Sequence, residues 1–307
     1  MLDLRRLRLL RELSARGTIG AVADALSYSP SAVSQQLAAL EKEAGVKLLE
    51  RAGRNVRLTA EGQTLVGHAD ALLARVEEAE ADLRANAGQV TGTVRIATFQ
   101  SAGLFLLAPA LKRLSAAHPA LRAEVQDAEA ETTLPSLALG ALDLVLGDDY
   151  PFVPRRPDPR VEVETLLHEQ FRIVLPADHP LARDGGPVPL SALRDEPWAA
   201  GKSDGDYSEL TVRLCRTMGG FEPEIRHRSN DLLMLLALVA AGQAVTLLPD
   251  LVGPERDPAV AVRDFAEGPV NRTVFTAIRR SSTRRPALIA LRSALKEEVK
   301  ARLDSAA

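Results

Sequence analysis

From Thr59 to Asn86 the chain contains no proline, and glycine only at Gly62 and Gly67. Within that stretch Leu65, Ala69, Leu72, Val76, Ala79 and Leu83 alternate at spacings of four and three. This is the seam of a coiled coil running over nearly three heptads. Thr59 can cap such a helix, and Glu61 lies in the first turn, where negative charge is favoured. A stripe of this kind needs a cover, either a partner helix or the helix's own domain. Asn86-Ala87-Gly88-Gln89 ends the segment, and the chain on either side of it differs in character.

The charge balance shows the difference. Residues 1–60 hold ten of the 38 Lys and Arg but only six of the 41 Asp and Glu. The head is therefore basic and the body acidic, which points to two jobs in one chain. At 307 residues, 46% hydrophobic and 26% charged, the chain has room for two or three domains with real cores. The longest apolar run, Leu232 to Ala241, is half of the ~20 residues that a bilayer-spanning helix needs, so no membrane span is expected. Charges at the first residues, with no apolar stretch before a small-residue site, predict no signal peptide. One cysteine, Cys215, can form neither an internal disulfide nor a cysteine-based zinc cage. A reducing cytoplasm is the expected compartment.

The head reads as three helices and a hairpin. Leu4, Leu7, Leu10 and Leu13 mark a first amphipathic helix ending by Gly17. Thr18 can cap a second, with Ile19, Val22, Ala23 and Leu26 on one face. Ser27-Tyr28 is a turn. Ser29 can cap a third helix with Pro30 at its first position, where a missing N–H matters least. Val33, Leu37 and Leu40 are its buried stripe. Two short helices joined by a tight polar turn are what a helix-turn-helix requires.

Around the start of the third helix stand Ser29, Pro30, Ser31, Ala32, Ser34, Gln35 and Gln36. Base edges meet a recognition helix at this end. Gln can bond adenine twice, Ser suits several bases, and Ala can touch a thymine methyl. After Gly45, two short alternating segments flank Ala52-Gly53-Arg54-Asn55, giving a basic hairpin. Its Arg51, Arg54 and Arg57 suit phosphate contacts, which position a protein without specifying sequence.

Beyond residue 90, strands are expected at Thr93–Ala97, Ala123–Gln126, Leu142–Leu146, Phe171–Leu175, Val245–Leu248 and Val274–Ile278. Helices are expected between them, at Leu134–Leu139, Glu209–Met218, Leu232–Ala241 and Ala287–Leu303. Alternation of this kind predicts a mostly parallel sheet with helices on both faces. Ligands of open α/β sheets bind at the carboxyl ends of strands. That rule selects Thr98, Gln100 and Ser101 after the first strand, Asp148 after Leu142–Leu146, and Lys202 and Ser203 further on. Each hydroxyl could equally do no more than cap its own helix.

The run Ser29-Pro30-Ser31-Ala32-Val33-Ser34-Gln35-Gln36-Leu37, followed by Leu40-Glu41, Leu48-Leu49-Glu50-Arg51, Gly53-Arg54 and Leu58-Thr59-Ala60-Glu61-Gly62, resembles the DNA-binding domain of LysR-type transcriptional regulators. It departs at Leu49, where that family usually has Phe, and at Val22, often Ala. Leu175-Pro176, His179-Pro180-Leu181-Ala182 and Val239-Ala240-Ala241-Gly242 ahead of Leu248-Pro249 echo its effector-binding domain. The resemblance implies an α+β multi-domain chain with three parts. A winged helix-turn-helix occupies 1–60 and a linker and dimerisation helix 61–89. A periplasmic-binding-protein-like, two-subdomain α/β effector-binding domain occupies 90–307. Subdomain I would comprise 90–166 and 267–307, and subdomain II 167–266.

The implied partners are double-stranded promoter DNA, a small-molecule effector and a second copy of the chain. A homodimer, and above it a homotetramer, is implied, with RNA polymerase as a further partner. Ser101 matches the family's hydroxyl residue at the first helix start. Glu129-Ala130-Glu131 departs from the small or hydroxyl residues often found after the second strand. With Asp148 nearby, it predicts an effector bearing an amine or several hydroxyls rather than a simple dicarboxylate. The family's peroxide-sensing branch uses a cysteine pair, which Cys215 alone cannot supply.

Gly201-Lys202-Ser203-Asp204-Gly205 matches the G-x-S-x-G of a hydrolase elbow, with Glu222 or Glu224 and then His227 in triad order. The elbow should follow a long buried strand, and only Pro197-Trp198-Ala199-Ala200 precedes it. No catalytic residues are therefore assigned. His68, His118, His168, His179 and His227 form no i, i+4 pair, so neither a metal nor a cofactor is expected.

Overall fold

Asp3 opens the first helix, α1 (Leu4–Arg16), by accepting the N–H groups of Arg5 and Arg6, and Gly17 closes it in the left-handed conformation. Thr18 caps α2 (Ile19–Leu26) through the N–H of Ala21. Ser29 caps α3 (Pro30–Ala44) through the N–H of Ala32, with Pro30 in its first turn. Leu7, Leu9, Leu10, Leu13, Val22, Val33, Leu37 and Leu40 form the core of this head. Leu4, expected on the buried stripe, is exposed, and Leu9 is buried. Steps of three lag the helical turn by about 60° each, so four such leucines cannot share one face. Leu9 and Leu13, four apart, can.

The hairpin pairs β1 (Leu49–Ala52) with β2 (Asn55–Leu58) in antiparallel register, Leu49 opposite Leu58 and Ala52 opposite Asn55. Glu41 on α3 fastens it by accepting the N–H groups of Leu48 at 2.9 Å and Leu49 at 3.1 Å. Burial raises the Glu41 carboxyl, but these N–H groups and Lys47 outweigh it and hold the group below its ordinary value.

The long helix α4 runs over Ala60–Asn86. Thr59 caps it through the N–H of Gly62, and a Cβ at Gly62 would run into the Leu48 carbonyl. The seam divides. Leu65, Val66 and Ala69 pack on the head core. Further along, Leu72 is 46%, Val76 39% and Leu83 72% exposed. Own-domain packing thus accounts for the first part of the stripe and leaves the rest uncovered.

The computed structural model describes residues 1–53, 55–86, 89–153, 155–203 and 205–306. Its two units are Met1–Gln89 and Val90–Ala307. The second unit begins with β3 (Gly92–Thr98), then α5 (Gln100–Ala102), which continues through a π-helical turn at Gly103–Leu107 into α6 (Ala108–Ala117). β4 (Leu121–Asp127), α7 (Ala130–Ala138) and β5 (Leu144–Asp149) follow, and β3 lies parallel to both β4 and β5. The chain then enters a long strand, β6 (Val161–Pro176). Beyond it come β7 (Pro197–Ala200), α8 (Asp206–Leu214), β8 (Glu224–Arg228), α9 (Leu232–Ala240), β9 (Thr246–Pro249) and β10 (Val260–Arg263). β11 (Val270–Arg279) and α10 (Pro286–Ala306) complete it.

The main sheet runs β10-β6-β11-β5-β3-β4, with β9 also on β6. Among the described residues its pairings are antiparallel except for those of β3, so the mostly parallel sheet read from alternation is corrected to a mixed one. Alternation of elements does not specify strand direction. The two long strands β6 and β11 run against each other and impose it. Their register slips between Val274 and Phe275, which face Leu167 and Thr165, so Leu166 bulges out of the ladder.

A core lies on each side of that bulge. Val94, Ile96, Leu106, Leu144, Val274 and Leu291 fill one, and Ile173, Leu175, Trp198, Leu210, Leu235 and Leu247 fill the other. Two cores on one pair of crossing strands leave a cleft between them.

Candidate functional site

On the head, Ser29, Pro30, Ser31, Ser34, Gln35 and Gln36 are exposed around the start of α3, and Ala32 is half-buried. Ser29 is committed to its cap, with its hydroxyl 3.0 Å from that of Ser31. The Gln36 carbonyl accepts from Arg6 Nε at 2.9 Å, and Arg6 also pairs with Glu43. Gln35, at the same turn, makes no side-chain hydrogen bond among the described residues. On the hairpin, Arg51 is exposed and Arg57 is bonded to Glu50 at 2.9 Å. Arg54 lies outside the described residues.

A groove of about 710 Å³ runs between α1 and the start of α3, lined by Arg5, Arg8, Tyr28, Ala32 and Gln36 among others. Arg5 and Arg8 form no ion pair among the described residues, so they are available to an anion. Sequence reasoning missed them by treating α1 only as a supporting helix. The signal was Arg5-Arg6 and Arg8 on its polar side.

In the second unit the ends of β3, β4 and β5 meet α8 and α9 across the cleft. Gln100 closes it at one place: its amide nitrogen donates to the Asp231 carboxylate, and its carbonyl accepts the Leu232 N–H at 2.8 Å. Asp231 is itself the cap of α9. Asn230 Nδ2 donates to Glu129 Oε1 at 3.1 Å, and the Asp206 N–H donates to Glu131 Oε1 at 3.2 Å. A pocket of about 20 Å³ remains, walled by Phe99, Gln100, Ser101, Glu129, Tyr150, Phe171, Tyr207, Asn230, Leu232 and Arg272. That is room for about one water. An organic ligand therefore requires the walls to part.

The wall is aromatic on one side, where Phe171, Tyr150 and Tyr207 form a triangle, with the Phe171 ring centroid 6.0 Å from that of each tyrosine and the tyrosine centroids 6.4 Å apart. Behind it Arg272 is fully buried. It donates to Glu169 Oε1 at 2.6 Å, Asp148 Oδ2 at 3.1 Å and Ser101 Oγ at 3.3 Å, and it lies 5.0 Å from the Phe99 ring centroid. Burial works against the guanidinium charge, but Glu169 and Asp148 outweigh it and hold the pKa above its ordinary value. Glu129 is pushed up to about 8 by burial, with Asp148, Glu131 and Asp127 adding repulsion. Arg272, the one cation in the lining of this pocket, is already shared by two carboxylates, so the lining offers an anion no uncommitted positive charge among the described residues.

The structure brings together Gln100, Ser101 and Glu129 from the residues selected by sequence. It places Thr98 and Asp148 elsewhere. Thr98 is buried with its hydroxyl on the Phe99 carbonyl, and Asp148 sits behind the wall, taking Arg272 and the Tyr150 hydroxyl at 2.7 Å. Neither Lys202 nor Ser203 lines the pocket, and both are exposed. Lys202 gives its backbone N–H to Asn230, its carbonyl accepts the Gly205 N–H, and its side chain makes no bond among the described residues. These four lie outside the pocket lining, since strand-end reasoning locates a turn without saying which way a side chain leaves it. Tyr150, Phe171, Tyr207, Asn230 and Arg272 were missed.

The hydrolase constellation is not assembled. Glu222 and Glu224 are paired with Arg216 and Arg226, and no hydrogen bond joins Ser203 to His227 among the described residues. Asp204 lies outside them. The buried Cys215 thiol is pushed up to about 12 by burial, with Glu222 adding repulsion, opposite to the shift of a reactive cysteine.

Comparison with known proteins agrees on both units. Residues 4–63 match the family described as bacterial regulatory helix-turn-helix protein, lysR family, and residues 87–300 match the LysR substrate binding domain. The chain is 30% identical over 254 residues to the HTH-type transcriptional regulator ClcR of Pseudomonas putida, covering 82% of this chain and 84% of that one. It is 28% identical over 274 residues to the transcriptional dual regulator GltC of Bacillus subtilis (strain 168), covering 89% of each. Among solved structures, a full-length OxyR variant from Pseudomonas aeruginosa superposes with a TM-score of 0.70 at 23% identity, covering 96% of this chain and 95% of that one. Full-length CbnR in complex with its target DNA gives 0.53 at 23% identity, over 97% of this chain and 100% of that one.

Proposed function

The chain belongs to the LysR family of DNA-binding transcriptional regulators, and from that premise we propose how its residues divide the work. The start of α3 enters the major groove, with Ser31, Ser34 and Gln35 facing base edges, while Arg51, Arg57, Arg5 and Arg8 hold phosphates on either side. The observation that carries this is the exposed polar start of α3 beside the Arg5 and Arg8 groove, with Arg51 exposed and in no ion pair among the described residues. The cleft of the second unit holds the effector against Gln100, Ser101, Glu129 and Tyr207. Its binding shifts the arrangement of subunits on DNA and so promoter output. Contact with RNA polymerase belongs to the same proposal. No helix among the described residues is long and apolar enough to cross a membrane, and the compartment we propose is the cytoplasm.

Fluorescence anisotropy on DNA upstream of the protein's own gene tests the reading. The expected preference over scrambled DNA is ~10³-fold or more. Arg5→Gln and Arg8→Gln are each expected to lower the slope of log K against log salt by about 1, leaving the preference for sequence intact. An unchanged slope would remove α1 from the interface, and no binding at low salt would remove the DNA reading of this face altogether.

A cleft rich in carboxyls, with its cation already paired, favours an effector with an amine or several hydroxyls. In a thermal-shift screen such compounds are expected to raise the melting temperature. A screen in which di-acids alone do so would reverse the assignment.

A further inference from the structure

Carboxylates face one another across the cleft. From subdomain I come Glu129 and Glu131, with Asp127 at the end of β4, Asp149 at the end of β5, and Asp148 buried behind them on Arg272. From the other wall come Asp206 and Glu209 on α8 and Asp231 at the cap of α9. Of the cations and hydroxyls nearby, Lys202 and Ser203 are exposed and make no side-chain bond among the described residues, and the others are committed. Arg272 is held by Glu169 and Asp148, Arg155 by Asp149 at 2.9 Å, and Tyr150 by Asp148. Arg213 pairs with Glu209, and Arg228 donates to Ser208 and the Gly201 carbonyl. Yet the walls are joined through two of these acids, since Glu129 takes the Asn230 amide and Glu131 the Asp206 N–H, each on one carboxyl oxygen. The second oxygen of Glu129 is left for a proton, and a protonated carboxyl still accepts the Asn230 bond.

We propose that closing this cleft takes up protons on Glu129 and Asp206, so that acid holds the effector-binding domain shut and alkali opens it. This rests on reading the cleft as the hinged effector site. With the cleft parted, Glu129 is hydrated and Asp206 is separated from Glu131, so both return toward ordinary carboxylate behaviour. Closed, Glu129 is pushed up to about 8 by burial, then by Asp148, Glu131 and Asp127. Asp206 is pushed up to about 6 by burial, then by Glu131, Glu209, Asp148 and Asp149. A carboxyl raised in the closed form makes that form bind more protons than the open one. Closure is therefore favoured at low pH and loses ground as pH rises from the ordinary carboxylate range through about 8. One linked proton changes the closed-to-open ratio by up to about tenfold per pH unit. Because the closed pocket admits no organic ligand, the same protons would gate effector entry.

The test uses the full-length protein with nitroxides on Ala116→Cys in subdomain I and Thr217→Cys in subdomain II, both exposed positions. Each labelled chain is diluted into excess unlabelled chain. Cys215, buried with its thiol pushed up to about 12, stays unlabelled in the folded protein. Spin–spin distances are read by double electron–electron resonance from pH 5.5 to 8.5. The expected result is two distance populations, the shorter falling at least about tenfold relative to the longer over that range. Glu129→Gln, which keeps the acceptor for Asn230, is expected to retain the short population at high pH and to lose most of the titration. If that variant does not fold, Asp206→Asn is expected to flatten the acid end of the curve. Two populations with a ratio independent of pH, or a Glu129→Gln protein titrating like the parent, would overturn the proton linkage and leave the hinge standing. A single distance at every pH and in every variant would overturn the hinge, and the effector reading with it.

Discussion

Arg272→Met is expected to destabilise the second unit by about 3–5 kcal/mol, the usual cost of removing one member of a buried ion pair. The methionine fills much of the volume and keeps apolar contact with Phe99 and Phe171, so packing is not the main loss. The loss comes from Glu169 and Asp148, both buried, whose shared guanidinium partner disappears. For a unit of this size the melting temperature should fall by about 10 °C. The pH dependence separates charge from shape. Burial already raises Asp148, and without Arg272, which lowers it, the folded variant would hold that carboxyl higher still and bind more protons than the unfolded chain. Its stability would recover as the pH falls toward 5 and Asp148 protonates. Adding Glu169→Gln should restore part of the loss at pH 7. A melting temperature within about 1 °C of the parent at pH 7 would show that the cluster contributes no net stability.

That cluster also marks where the sequence stopped being readable. The helices and caps of the head are legible because each signal is local. Thr18, Ser29 and Thr59 bond N–H groups within three residues, and Val33, Leu37 and Leu40 share one face by spacing alone. Gln100, Ser101 and Glu129 are legible because strands end beside them. Arg272 meets Ser101 across 171 residues of chain, and nothing in a residue pattern pairs β11 with β6 in that register. β7 and β8 escaped notice for a different reason. Pro197–Ala200 is four residues with no alternation, and Glu224–Arg228 is mostly charged, so neither carries the period-two signature. The direction of the sheet was misread because alternation of elements counts crossovers and does not say which strand a crossover joins. What was hidden is the part of the site built from opposite ends of the effector-binding unit, which is also the part a hinge would move.

The uncovered half of the α4 seam carries the second large prediction. Leu72→Glu combined with Val76→Glu should leave the protein monomeric by sedimentation at micromolar concentration. It should also reduce affinity for a two-half-site operator by ~100-fold or more. The head should not unfold, because the residues of α4 that hold it, Leu65, Val66 and Ala69, are untouched and lie on the first three turns. Beyond them Leu72, Val76 and Leu83 are large and exposed at spacings of four and seven, the spacing a second helix would cover. Glutamates facing each other there would replace buried methyl groups with like charge. The effect on DNA follows from geometry rather than from any lost DNA contact. In a dimer, binding of one α3 to its half-site raises the local concentration of the other to the millimolar range. That alone multiplies affinity by ~10²–10⁴. A monomeric variant keeps Ser31, Gln35, Arg51 and the α1 arginines, so its affinity for a single half-site should match that of the parent. If the double variant still sediments as the parent does, dimerisation lies elsewhere. If it is monomeric but binds the full operator undiminished, the two recognition helices do not act together, and the spacing of half-sites carries no information for this protein.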